Sequence, residues 1–109
     1  MKYEVEPTQY ALRVYEDDAT EDYCAVATIR VYGDRGWMSS ISSPKLYRAL
    51  PEHFAGLMDK LGLLTLEGYM SKAHARAVRM SCKTWAKFEI THYGDCAGRQ
   101  MPWVVISRL

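Results

Sequence analysis

Long apolar runs, paired cysteines and an export leader are all missing from this 109-residue chain. Its longest strongly apolar run is Met101-Pro102-Trp103-Val104-Val105-Ile106, far short of the roughly 20 residues that a helix needs to cross a bilayer. The first ten residues hold no apolar stretch of the secretory kind, so neither a membrane partner nor export is expected. The cysteines Cys24, Cys82 and Cys96 are odd in number and scattered, which argues against a disulfide framework and for free thiols in a reducing cytoplasm. No Gly-x-Ser-x-Gly elbow occurs for an activated serine. No Cys-x2-Cys pair occurs for zinc either: His92-x3-Cys96 with Cys82 is the only cluster to weigh, and ordinary packing of two cysteines and a strand histidine accounts for it. No metal is expected.

What the chain does contain is globular. Apolar residues make up 49% and charged residues 25%, a composition able to bury one core, and the length suits a single domain over residues 1–109. The net charge of +1 conceals a division. Residues 1–22 hold seven acids against Lys2 and Arg13, whereas the remaining 87 residues carry twelve bases and six acids. Local clustering of this kind can steer an anionic partner even when the total is near zero.

The hydrophobic pattern predicts strands over Tyr10–Tyr15, Tyr23–Tyr32 and Trp37–Ile41, the last two joined by the turn Gly33-Asp34-Arg35-Gly36. These three form an antiparallel meander. Ser42-Ser43-Pro44 reads as a helix start, with a serine cap and a proline in the first turn. Leu46, Leu50, Phe54, Leu57, Met58 and Leu61 keep helical spacing up to Gly62. Pro51 either kinks this helix or begins a second one. Leu63–Met70 is a short apolar run that reads as a buried strand parallel to the one ending at Ile41. Ser71 caps a second helix that runs to Lys83 or Lys87. Strands Phe88–Tyr93 and Trp103–Leu109 close the chain around Gly94-Asp95-Cys96-Ala97-Gly98. The fold class is therefore α+β, with a mixed, mostly antiparallel sheet in the order β-β-β-α-β-α-β-β.

Two patterns could carry chemistry. Lys72, Arg76, Arg79, Lys83 and Lys87 are spaced 4, 3, 4 and 4, which puts all five on one face of a continuous helix. That face is either a solvated exterior or a surface for an anion or a partner. The serine-rich approach to the first helix, Ser39-Ser40-Ile41-Ser42-Ser43-Pro44-Lys45 with Arg48 one turn on, offers free backbone N–H groups at a helix N-terminus. Simple capping explains it too, because no glycine lies between Gly36 and Gly56 to let a phosphate approach the backbone.

From Trp37 onward this order of elements resembles the C-terminal half of the Gcn5-related N-acetyltransferase (GNAT) fold. In the resemblance, Ile41–Lys45 matches the pyrophosphate loop, Leu63–Met70 matches the strand that splays away to admit pantetheine, and Lys72–Phe88 (KAHARAVRMSCKTWAKF) matches the helix marked N-x-x-A. The R/Q-x-x-G-x-G/A loop is absent, and the tyrosine that would act as general acid falls near Ser81 or Cys82. The resemblance implies a degenerate GNAT-like domain, leaning away from catalysis: a small binding or inhibitory protein without a cofactor, of the kind encoded by phages or mobile elements, acting on another protein. Its alternative is a minimal acyl-CoA-dependent N-acyltransferase with acetyl-CoA phosphates held by Ser42, Ser43, Lys45 and Arg48. A third reading is nucleic-acid binding through the basic helix face.

Overall fold

A computed structural model describes residues 8–15, 23–42 and 51–109. Six strands form one sheet in the order β1-β2-β3-β4-β6-β5: β1 is Thr8–Tyr15, β2 Tyr23–Tyr32, β3 Arg35–Ser42, β4 Thr65–Tyr69, β5 Ala86–Cys96 and β6 Arg99–Arg108. Two helices, α1 (Phe54–Leu61) and α2 (Lys72–Cys82), follow β3 and β4. The mixed α+β architecture and the element order are those expected from the sequence. Among the described residues no helix is long and apolar enough to cross a membrane.

Strands β1, β2 and β3 make the antiparallel meander, with Gly33 in the left-handed region (φ 64°) at the turn where Tyr32 faces Arg35. The Asp34 carbonyl accepts from Leu64 N–H (2.7 Å) and Thr65 N–H (3.3 Å), which ties this hairpin to the start of β4. Alternation then sorts the side chains. Ala27, Ile29, Met38, Leu66, Val104 and Ile106 face the helices, where they pack with Phe54 and Met58 of α1 and with Ala75, Val78 and Cys82 of α2. Thr28, Arg30, Trp37, Ser39, Glu67 and Trp103 take the opposite face. Both helices therefore share a single core against one side of the sheet.

Several boundaries differ from the sequence-based reading. The Ser43 cap and the start of the first helix lie outside the described residues. Pro51 begins a 3-10 turn, Pro51–His53, that feeds directly into α1, as a proline suits a first turn. Gly62 ends α1 in the left-handed conformation (φ 67°), and Leu63 N–H reaches back to Met58 O at 2.8 Å. Of the two ends expected for the second helix, the nearer is the one found: α2 ends at Cys82 with Lys83 as its cap and does not reach Lys87. The Trp85 indole donates to Ser81 O (3.1 Å), and its backbone N–H donates to Cys82 O (3.1 Å), which closes the last turn. Ala86 then enters β5 opposite Arg108. The terminal hairpin is longer than expected and turns on Ala97-Gly98, both at positive φ (52° and 79°). Asp95 and Cys96 thus pair with Gln100 and Arg99 instead of lying in a loop.

Candidate active site

The parallel ladder between β3 and β4 is three pairs long: Arg35–Thr65, Gly36–Leu66 and Trp37–Glu67. The next approach, at Gly68, is so close that a Cβ there would strike the Met38 carbonyl oxygen. Beyond it the pairing stops. β3 continues to Ser42, while β4 ends at Tyr69 and Met70 N–H turns to Pro102 O on β6 (3.2 Å). A cleft of about 590 Å³ opens on the helix-free face, lined by Thr28, Arg30, Trp37, Met38, Ser39, Tyr69 and Trp103. Its size is that of an ordinary small-molecule site. Backbone groups of β3 that no neighbouring strand pairs on this side are the partners that an extended, amide-bearing ligand such as pantetheine requires. In this respect the strands fit an acyl-CoA.

The aromatic side chains form a row across the face. Tyr32 lies 5.0 Å from Trp37, Trp37 packs edge-on to Trp103 (5.7 Å), and Trp103 meets Tyr69 edge-on (4.8 Å) and stacks on His92 (5.7 Å, 13° between planes). A buried carboxylate fixes this row from beneath. Glu67 Oε1 accepts from Arg35 Nη2 (3.0 Å) and Trp103 Nε1 (3.2 Å), and Oε2 accepts from Arg35 Nε and Thr65 Oγ1 (both 3.3 Å). With every acceptor site engaged, Glu67 acts as a strut for Trp103 rather than as a free base. The hydrogen bond and charge of Glu67 also hold the Arg35 guanidinium above its ordinary pKa.

The group able to move a proton stands at the rim. Tyr69 Oη is 3.1 Å from His92 Nε2, and His92 Nδ1 is 2.8 Å from Thr91 Oγ1. With the imidazole proton on Nδ1, that nitrogen donates to Thr91 and Nε2 accepts from the phenol, a consistent Thr-His-Tyr chain. A bulge in β5 between Ile90 and His92 turns the histidine onto this face opposite Trp103. Gly94 leaves space for the phenol, since a Cβ there would collide with the Tyr69 ring and hydroxyl.

Sequence-based site residues fare unevenly. Ser42 ends β3 beside the cleft, while Ser43, Lys45 and Arg48 lie outside the described residues. The basic stripe is broken: Lys72, Arg76 and Arg79 are exposed along α2 and Lys83 caps it, but Lys87 belongs to β5. Since Ala86 is buried against the core, alternation turns Lys87 to the opposite face of the sheet. Cys82, weighed as a proton donor, is fully buried among apolar side chains, and burial pushes its thiol up to about 11. Among the described residues no group of three His, Cys, Asp or Glu side chains could hold a metal. Tyr69, His92, Trp103 and Glu67 were not foreseen as a site. Only the acid within the apolar run Leu63–Met70 hinted at a buried carboxylate.

No family model and no curated protein matches the sequence. Solved structures do match in shape. A chimera of the Vibrio cholerae spermidine N-acetyltransferase SpeG and hSSAT aligns over 91% of this chain and 67% of its own, with TM-score 0.63 and 13% identity. The aminoglycoside acetyltransferase AAC(6')-Ib, solved with ribostamycin and coenzyme A, aligns over 80% and 59% at TM-score 0.51 and 14% identity. A ribosomal-protein alanine N-acetyltransferase from Escherichia coli aligns over 81% and 62% at TM-score 0.50 and 22% identity. The chain spans about three-fifths to two-thirds of the length of these proteins. The lean away from an enzyme is corrected here: these three structures that share the chain's shape are acetyltransferases, one of them in complex with coenzyme A. A sheet ordered β1-β2-β3-β4-β6-β5, parted between β3 and β4 and matched by these enzymes, is the Gcn5-related N-acetyltransferase fold.

Proposed function

We propose that this chain is an acyl-CoA-dependent N-acyltransferase. The observation that carries the reading is the parting of β3 from β4 beside a cleft with a tyrosine-histidine pair on its rim. The solved acetyltransferases of the same fold, including one in complex with coenzyme A, support it. When bound, acyl-CoA supplies the activated acyl group as a thioester. The backbone edge of β3 holds the pantetheine arm, and Ser42, which ends β3, with Ser43, Lys45 and Arg48, which follow it in the sequence, holds the phosphates, combining hydroxyls with two cations.

Transfer forms a C–N bond and breaks a C–S bond, while one proton leaves the amine and one reaches the departing sulfur. His92 withdraws the proton from the amine through the Tyr69 hydroxyl, and Tyr69 returns it to the thiolate. Glu67 takes no proton in this scheme. It fixes Trp103, which in turn holds His92 by stacking and Tyr69 by an edge contact.

The test is direct. Thermal unfolding of the full chain is followed with and without millimolar CoA, and acetyl-CoA is incubated with a panel of primary amines read by mass spectrometry. A stabilised chain and an acetylated amine are expected. No thermal shift together with no acetylated product would remove the reading.

A further inference from the structure

Two groups that titrate or react away from the cleft, His74 and Cys82, are buried within α2 and belong to the core. A smaller apolar groove of about 180 Å³ between α2 and β5, rimmed by Lys72, Arg76 and Arg79, has nothing beside it to identify an occupant. The charge arrangement of the cleft goes further.

Among the solved structures of the same shape are a spermidine N-acetyltransferase chimera and a complex with ribostamycin, and spermidine and ribostamycin are both polycations. A polycation is held by carboxylates that remain free to pair with it. This cleft has the reverse pattern. Among the described residues its lining contains Arg30 and no acid. The acid beneath it, Glu67, is committed to Arg35, Thr65 and Trp103. Glu89, the remaining acid on this face among the described residues, sits on β5 on the far side of β6 from Glu67. Arg30 stands directly opposite Trp37 across β2 and β3, and among the described residues no carboxylate pairs with it. Trp37 in turn faces Glu67 on β4, and the Tyr69 phenol reaches across β6 to His92 and Gly94 on β5, so Arg30 and the phenol stand over strands four spacings apart, about 19 Å, a span that the length of the arginine side chain shortens. Between them lies the floor made by Trp37 and Trp103.

We infer that the cleft takes a primary amine carried on a flat apolar body with an anionic group at its other end: Arg30 holds the anion, the Trp37–Trp103 floor carries the body, and the amine reaches Tyr69. This rests on the acyltransferase reading for the fate of the amine, but not for the binding itself. Thr28 and Ser39 flank the anion end with hydroxyls able to donate to a carboxylate or phosphate. The aromatic floor gives affinity to a planar body by stacking and burial. Among the described residues a polyamine would instead meet the Arg30 guanidinium and no counter-charge in the cleft lining.

The experiment compares three probes on the full chain by calorimetry: 4-(aminomethyl)benzoate, benzylamine, which differs from it only by lacking the carboxylate, and spermidine. Binding of 4-(aminomethyl)benzoate at least ten-fold tighter than benzylamine is expected, with spermidine weakest. Arg30→Ala should erase the preference, Arg30→Lys should retain part of it, and affinity for benzylamine should change less than three-fold in either variant. Equal or tighter binding of benzylamine or spermidine, absence of binding by all three, or a preference untouched by Arg30→Ala would overturn the inference. Acetylation of spermidine but not of 4-(aminomethyl)benzoate would overturn it too, while leaving the chain an acyltransferase. Tight, Arg30-dependent binding without any CoA-dependent transfer would uphold the anion-reading cleft and remove the acyltransferase reading instead.

Discussion

Gly68→Ala tests the geometry on which the cleft depends. At this position β4 makes its last approach to β3, and the added methyl would meet the Met38 carbonyl oxygen and its carbon, both backbone atoms. Backbone within a sheet cannot step aside as a flexible side-chain end can, so the cost belongs in the upper part of the usual range for overpacking, about 2–3 kcal/mol. Unfolding entropy per residue for a domain of this length converts that to a fall in Tm of roughly 10 °C. Gly56→Ala is the matched control. It makes the same chemical change inside α1, with nothing within 4 Å of the added methyl. Relief of glycine's entropic penalty in a helix should raise stability there by about 0.5–1 kcal/mol, or a few degrees. Circular dichroism melts of the two variants beside the parent chain decide the matter. A Gly68→Ala protein melting within about 2 °C of the parent, or above it as Gly56→Ala should, would refute the close approach and with it the point from which the strands part.

Four further outcomes follow from the site and core. Tyr69→Phe and His92→Gln should each lower the acetylation rate on the order of 10²-fold while leaving the CoA-induced thermal shift intact, and Gly94→Ala should act in the same direction by displacing the phenol; full activity in all three would dismiss the pair. Glu67→Gln should cost about 1 kcal/mol, discounted because Arg35 is half exposed, yet keep activity within a few-fold at every pH, whereas a loss of activity comparable to that of Tyr69→Phe would make Glu67 the base. Burial lowers the pKa of His74 below that of an unfolded histidine, so the unfolded chain binds the extra proton first: stability is complete above roughly pH 6.5 and declines as pH falls below it. Denaturant melts across pH 5 to 8 should show that slope, and His74→Gln should flatten it. Cys82, buried and with its thiol pushed up to about 11, should resist alkylation at pH 8 until the chain is unfolded, as peptide mapping would reveal; labelling of native protein at Cys82 would contradict its placement.

Much of the fold was legible because its signals are local. Alternation marked β2, proline and glycine marked the two ends around α1, and Ser71 marked the start of α2, where its hydroxyl accepts from His74 N–H at 3.1 Å. The errors arose where a local preference met a tertiary demand. Lys83 to Lys87 continue the helical spacing of the cations, but Ala86 and Phe88 are needed in the sheet against Arg108 and Ile106, and the sheet prevails. β6 also takes in Pro102, ahead of the expected start at Trp103, because its carbonyl, not its missing N–H, forms the bond to Met70. The site itself could not be read from spacing. Tyr69 and His92 are 23 residues apart, and Glu67 and Trp103 are 36 apart. They meet only because β6 returns between β4 and β5.

The distribution of residues on the helix-free face argues that it serves a ligand and not merely solvent. Away from the cleft the β5 edge of this face is polar, with Lys87 and Glu89 exposed to water. The aromatics are confined to the stretch beside the parted strands, where Tyr32, Trp37 and Tyr69 remain 37–41% exposed. Folding alone would favour small or charged residues at those positions, since rings left half in water contribute little burial and a contiguous apolar patch invites aggregation. Glu67 points to the same conclusion. A buried carboxylate is a weak source of stability, because desolvation offsets most of what its partners return. What this one secures is position: it holds the Trp103 indole in a single orientation, and through that ring the His92 imidazole and the Tyr69 phenol. An arrangement whose energetic return is small and whose geometric return is a tyrosine-histidine pair fixed at the mouth of a cleft is what the proposed acyltransferase reading requires.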